Sequence, residues 1–169
     1  FLLAELVKDN YNIDNVYFEY GTPLFTALLM NNYFFASYLL DLGCKKYCNI
    51  QGIDELLIAI SNDNLDMVKL LEEHNYSLTY EYKEPIEKLK ILKYFRPLHI
   101  AVYYNAINCA KYIIEKTGDN IHFKGNCEDS PLSIGIMYID IKGVNVNINY
   151  LDVLEGMTHR KPYQKFHCK

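Results

Sequence analysis

The chain has 169 residues, half of them apolar and 22% charged, with a net charge of −4 at neutral pH. That length suits one domain with a sizeable core, and the composition excludes disorder and a collagenous design. No run of ~18 uninterrupted apolar residues occurs, so no membrane span is expected. The acidic balance argues against a nucleic-acid partner.

The chain opens in the middle of an apolar helical pattern, Phe1, Leu2, Leu3, Leu6 and Val7, with neither the basic start nor the cleavage site of a signal peptide. Phe1 is read as an internal cut point. The first strong motif follows at Thr22-Pro23-Leu24-Phe25-Thr26-Ala27-Leu28, and its counterparts come at Asp54 to Ile60, Arg96 to Val102 and Ser130 to Ile136. Their shared leucines, Leu24, Leu56, Leu98 and Leu132, recur at about 33 residues, with one interval lengthened by an insertion. Each motif reads as a short helix. Pro23, Pro97 and Pro131 suit a first helical turn, where no N–H is needed, and Thr22 or Ser130 can cap it. Small residues at Ala27, Ala59, Ala101 and Gly135 let neighbouring helices approach closely.

A second apolar-periodic run trails each of the first three motifs, at Phe34 to Leu40, Leu65 to Leu71 and Cys109 to Ile114. Gly43, Asn75 and Gly118 follow these runs, where a left-handed helix stop favours Gly and then Asn. The spacing predicts a partial unit at 1–16, units at about 17–48, 49–78, 91–123 and 125–157, an insertion at 79–90, and a basic tail at 158–169. Within the longer interval, Glu84 to Leu92 is predicted to form a short extra helix. A second insertion is expected across Asp140 to Asn147, before a last helix resumes at Tyr150 to Glu155.

Catalytic and metal-binding patterns are lacking. There is no phosphate-cradling glycine loop, no nucleophile elbow and no zinc-finger spacing around Cys44 and Cys48. The pairs Asp54-Glu55 and Glu72-Glu73 are read as solvated surface. An enzyme is not expected, nor a cofactor, a metal or a small-molecule substrate. Five cysteines form no regular framework, which fits free thiols and an intracellular, cytoplasmic location.

In the Thr-Pro-Leu-His-x-Ala signature, clearest at Thr22-Pro23-Leu24 and Pro97-Leu98-His99-Ile100-Ala101, the chain resembles the ankyrin-repeat family over nearly its whole length. The resemblance implies an all-α ankyrin-repeat solenoid of paired antiparallel helices joined by β-turn or hairpin loops. It also implies a non-catalytic scaffold that binds a protein partner through the concave groove, and a structural role for His99. The sequence departs from the family at Asp54-Glu55 and at Arg96, where Thr-Pro and Thr are usual.

Carried over repeat by repeat, the family's contact positions fall at loop tips and just after each signature. The loop-tip residues are Ile50, Gln51, Ile53, Phe95 and Asp129, and the helix residues are Leu29, Met30, Asn62, Tyr103, Tyr104, Met137 and Tyr138. This stripe is rich in Tyr and Met, side chains that supply adaptable contact area at interfaces. Because ankyrin arrays often accompany other functions, the alternative is a regulatory or targeting segment of a larger enzyme, channel, toxin-like or host-interacting effector protein.

Overall fold

A computed structural model describes residues 21–46, 53–84, 94–122, 124 and 129–142. The partial unit at 1–16, most of the extra helix at 84–92, the last helix at 150–155 and the basic tail lie outside the described residues.

Seven helices are present among the described residues: α1 (Pro23–Leu29), α2 (Tyr33–Asp41), α3 (Glu55–Ser61), α4 (Leu65–Glu73), α5 (Pro97–Tyr103), α6 (Ile107–Thr117) and α7 (Pro131–Lys142). They pair as α1 with α2, α3 with α4 and α5 with α6. The odd-numbered helices then stack in a row, α1 on α3, α3 on α5 and α5 on α7, while α4 packs on α6 in an outer row. This is the layout of a solenoid, in which each unit touches only its neighbours.

Burial explains the different composition of the two rows. The inner helices are packed on nearly all sides, so α3 buries Glu55 through Ile60 and α5 buries Pro97 through Val102. Ala27, Ala59 and Ala101 are all buried on these helices, as the close approach of stacked inner helices requires. The outer helices bury one stripe only. In α4 it is Met67, Val68, Leu70 and Leu71, and in α6 it is Cys109, Ala110, Ile113 and Ile114. Such spacing leaves the opposite face to solvent.

Local chemistry sets where each helix begins and ends. Thr22 Oγ1 accepts from the Phe25 N–H at 3.3 Å, Asp54 Oδ1 from Leu57 at 2.9 Å, and Ser130 Oγ from Ser133 at 3.2 Å. Each side chain satisfies a donor that a helix leaves open at its first turn. The outer helices α2 and α4 use Asn32 and Asn64 in the same way. At their far ends Gly43, Asn75 and Gly118 take φ values of 80°, 67° and 70°, the left-handed stops expected from the sequence.

Two expectations are corrected. Asp54-Glu55 is not solvated surface: Asp54 caps α3 and Glu55 is fully buried, because this pair occupies the first turn of an inner helix. Glu72 is half-buried and accepts a hydrogen bond from the Tyr112 hydroxyl at 2.5 Å, which ties α4 to α6; Glu73 is exposed. The last inner helix also runs longer than the others. It continues through Lys142, so the first positions of the insertion expected from Asp140 are helical.

The insertion between the second and third units is closed at its base by backbone pairing. Tyr82 N–H donates to the Phe95 carbonyl at 2.8 Å, and Tyr94 N–H donates to the Tyr82 carbonyl at 2.7 Å. The two aromatic rings stack, with centroids 4.8 Å apart and planes within 5°.

Candidate functional site

One repeated turn builds the exposed ends of the inner helices. Met30, Asn62 and Tyr104 each end an inner helix, with φ, ψ of −82°, 2°, then −90°, 1°, then −89°, 2°. The next residue in each case, Asn31, Asp63 or Asn105, is left-handed, with φ of 55°, 50° and 57°. Asn and Asp are the non-glycine residues that tolerate this conformation best. Identical backbone at three successive units sets Met30, Asn62 and Tyr104 in one row along the stacked inner helices, and all three are exposed.

Side chains along this row differ in how freely they stand. Met30 is 74% exposed and Leu29 42%. Tyr104 is 40% exposed and meets Tyr103 edge-on at 5.0 Å. Tyr103 itself is half-buried and packs against the core, so it contributes to the fold as well as to the surface.

The remaining expected contact residues separate. Phe95 is not part of the exposed face. It is fully buried, and the antiparallel bridge at the base of the insertion sets its ring on that of Tyr82. Ile53 is half-buried against the core. Asp129 is half-buried, and its backbone carbonyl lies 3.2 Å from His99 Nε2. Met137 and Tyr138 fall within α7, where their side chains lie outside the described residues, as do Ile50 and Gln51 entirely.

His99 holds its place through both ring nitrogens. Nδ1 accepts from the Arg96 N–H at 3.0 Å, which leaves Nε2 to donate to the Asp129 carbonyl. Burial disfavours the charged ring and lowers its pKa to about 4, against the help of both backbone partners. A neutral histidine with both nitrogens engaged bridges α5 to the next unit. Beside it, Arg96 Nη1 pairs with Asp119 Oδ1 at 3.0 Å, which gives a purpose to the arginine that departs from the family signature. Asp119 has its pKa raised by burial, against the pull of Arg96.

Residues 95–126 match the family model described as Ankyrin repeat. They are an ankyrin repeat. They comprise α5, α6 and the loop that follows, the unit whose Pro97-Leu98-His99 signature is most complete. The paired helices and their stacking make the whole described array an all-α ankyrin solenoid. Repeats of this kind are protein-interaction modules and are generally non-catalytic. The chain is also similar to alpha-latrocrustotoxin-Lt1a of Latrodectus tredecimguttatus, at 28% identity over 117 residues. That match takes in 69% of this chain but 8% of the toxin, so the chain spans a small part of the curated relative.

No group of three or more potential metal ligands occurs among the described residues, and no helix there is long and apolar enough to cross a membrane. Several residues of note escaped the sequence reading. Asp63, which nothing in the sequence pattern singled out, reaches from one ankyrin repeat to the next to bind Asn108 and Cys109. Tyr76, Tyr80 and Tyr82 gather around one cavity, and their close spacing in an otherwise polar segment was the available signal.

Proposed function

We propose that the chain is a protein-binding scaffold whose partner docks along the inner-helix ends, at Leu29, Met30, Asn62, Tyr103 and Tyr104. The observation that carries this reading is the exposed apolar side chain at matching turns, above all Met30 and Tyr104. Large apolar groups set in a regular row on a rigid backbone offer area to bury on docking, and aromatic anchors such as Tyr104 are enriched among the residues that dominate interface energetics. The partner is a protein rather than a nucleic acid, in keeping with the acidic net charge of −4. A cytoplasmic location is part of the same reading. The test replaces Met30 and Tyr104 together with Ala and titrates a captured partner against both chains. Loss of affinity by about tenfold or more, without a change in melting temperature, is the expected outcome.

A second reading is favoured by the match to 8% of a spider toxin. In it the ankyrin array is a recognition or targeting segment of a longer, toxin-like protein, and the activity of that protein resides in other segments. The full-length protein, captured from source tissue with antibodies against residues 94–122 and sequenced, distinguishes the two. A protein made of ankyrin repeats alone supports the free-standing scaffold. One that carries further segments without repeats supports the second reading.

A further inference from the structure

A cavity of about 290 Å³ opens at the loop edge of the array, where the segment after α4 crosses the start of α3. Its walls include Lys46, Asp54, Tyr76, Tyr80 and Tyr82. None of these belongs to the inner-helix row described above. The volume falls just short of the range for drug-sized ligands, about 300–1,000 Å³, and suits the end of one side chain.

The cavity already holds an ammonium group. Lys46 Nζ stands 4.4 Å from the centre of the Tyr76 ring and donates to the Asn75 carbonyl. The ring face and the carbonyl both favour a cation. Opposite them, Asp54 supplies a carboxylate, held by the Tyr82 hydroxyl, which donates to Oδ2 at 2.7 Å. Burial raises the Asp54 pKa, against the hydrogen bonds from the Leu57 N–H, the Tyr82 hydroxyl and the Leu56 N–H and, least of all, the positive charge of Lys46. Tyr80 forms the outer wall, edge-on to Tyr82 at 4.8 Å and 55% exposed.

Around Lys46 the walls are three tyrosines and the Asp54 carboxylate, with Leu56 and Ser77 between them, and Lys46 is exposed on a flexible four-carbon stem that can swing out. We infer that this cavity is an ammonium-binding pocket that takes a lysine side chain of a protein partner, with Lys46 as the internal occupant that the incoming lysine displaces. The choice of occupant follows from the ammonium that the free chain already sets against the Tyr76 ring and the Asn75 carbonyl, with the Asp54 carboxylate in the same lining. The inference deepens the protein-binding reading and rests on it only for the source of the lysine. The pocket itself is tested with a free peptide.

The test is an NMR titration of the intact chain, labelled on its tyrosine rings, with a capped Ala-Lys-Ala peptide and with the same peptide acetylated on the lysine nitrogen. The lysine peptide is expected to shift the Tyr76 ring, and with it the Tyr80 and Tyr82 rings of the same cavity, saturably, and the acetylated peptide to leave them in place. Lys46→Ala, which removes the internal competitor, is expected to tighten binding by roughly three- to tenfold. Tyr80→Ala is expected to abolish it, and Tyr80→Phe, which keeps the ring, to retain it. Asp54→Asn keeps the helix cap and is expected to weaken binding by about tenfold. Equal binding of the acetylated peptide, weaker binding by Lys46→Ala, or no saturable shift with that variant at millimolar peptide overturns the proposal. A groove variant at Met30 and Tyr104 leaves this titration unchanged, so failure of the pocket and failure of the docking row are read separately.

Discussion

The Asp63 carboxylate closes the first turn of a helix that belongs to the next ankyrin repeat, accepting the Cys109 N–H at 2.9 Å on Oδ1. Its other oxygen accepts from the Asn108 backbone at 3.3 Å and from the Asn108 side chain at 2.9 Å. The preceding outer helices carry their own caps, Asn32 and Asn64, but α6 begins at Ala106, which has no side chain able to cap. A borrowed cap replaces a local one, and with it α6 depends on its neighbour. The earlier pair of repeats shows a weaker version, in which Asn64 Nδ2 donates to Asn31 Oδ1 at 2.5 Å.

Removing this cap should loosen the contact between repeats. Asp63→Ala is expected to cost about 0.5–2 kcal/mol, with some of the loss arising from the left-handed backbone at this position. Ala106→Asn supplies a local cap and should recover part of that loss. Chemical denaturation of the two single variants and the double variant measures the coupling. Additive effects would show that Asp63 does not act through α6.

His99 gives the array a defined response to acid. Its pKa falls from an ordinary 6.5 to about 4 in the folded chain, chiefly because burial opposes the charged ring. A depressed pKa contributes stability that is present above pH 6.5 and lost as the pH falls towards 4, to a total of about 3 kcal/mol. Asp54 and Asp119 act oppositely: their raised pKa values favour the fold as the pH falls through them. The difference between wild type and His99→Gln isolates the histidine. The wild-type melting temperature should fall more steeply between pH 6.5 and 4, and parallel curves would show that His99 is not buried neutral.

Phe95 and Tyr82 together hold the base of the insertion. Phe95→Ala opens a cavity in a fully buried site and should destabilise the chain by about 3–5 kcal/mol. Tyr82→Phe keeps the stack and removes only the hydroxyl that binds Asp54, for a loss of about 1 kcal/mol. Thermal melts of both variants check the order. Equal losses would place the weight on the hydroxyl rather than on the ring.

Much of this fold was legible because local chemistry and repeat spacing agreed. Thr22 and Ser130 cap as their position predicts, and Gly43, Asn75 and Gly118 end helices in the left-handed conformation. What escaped was non-local. Phe95 stands at a loop-tip position of its repeat, yet the ring that buries it is Tyr82, across an insertion with no counterpart in the other repeats. Asp54-Glu55 looked like a surface pair because its charges are unusual on an inner helix, and Glu55 is enclosed by packing from neighbouring repeats. The row at Leu29, Met30, Asn62 and Tyr104 was visible from register alone. The different exposure of Tyr103 and Tyr104 needed the packing of α5 against its neighbours.

That difference refines the test of the docking surface. Tyr103→Ala should lower the melting temperature, because the side chain packs on the core, whereas Tyr104→Ala and Met30→Ala should stay within about 0.5 kcal/mol of wild type. The most direct measurement of the central claim is a calorimetric titration of a captured protein partner into the intact chain and into the Met30→Glu, Tyr104→Glu double variant, with melting curves alongside. A protein-binding array that docks along this row predicts wild-type melting for the variant, with binding weakened by at least about tenfold. Undiminished affinity in a variant that melts like wild type would contradict it.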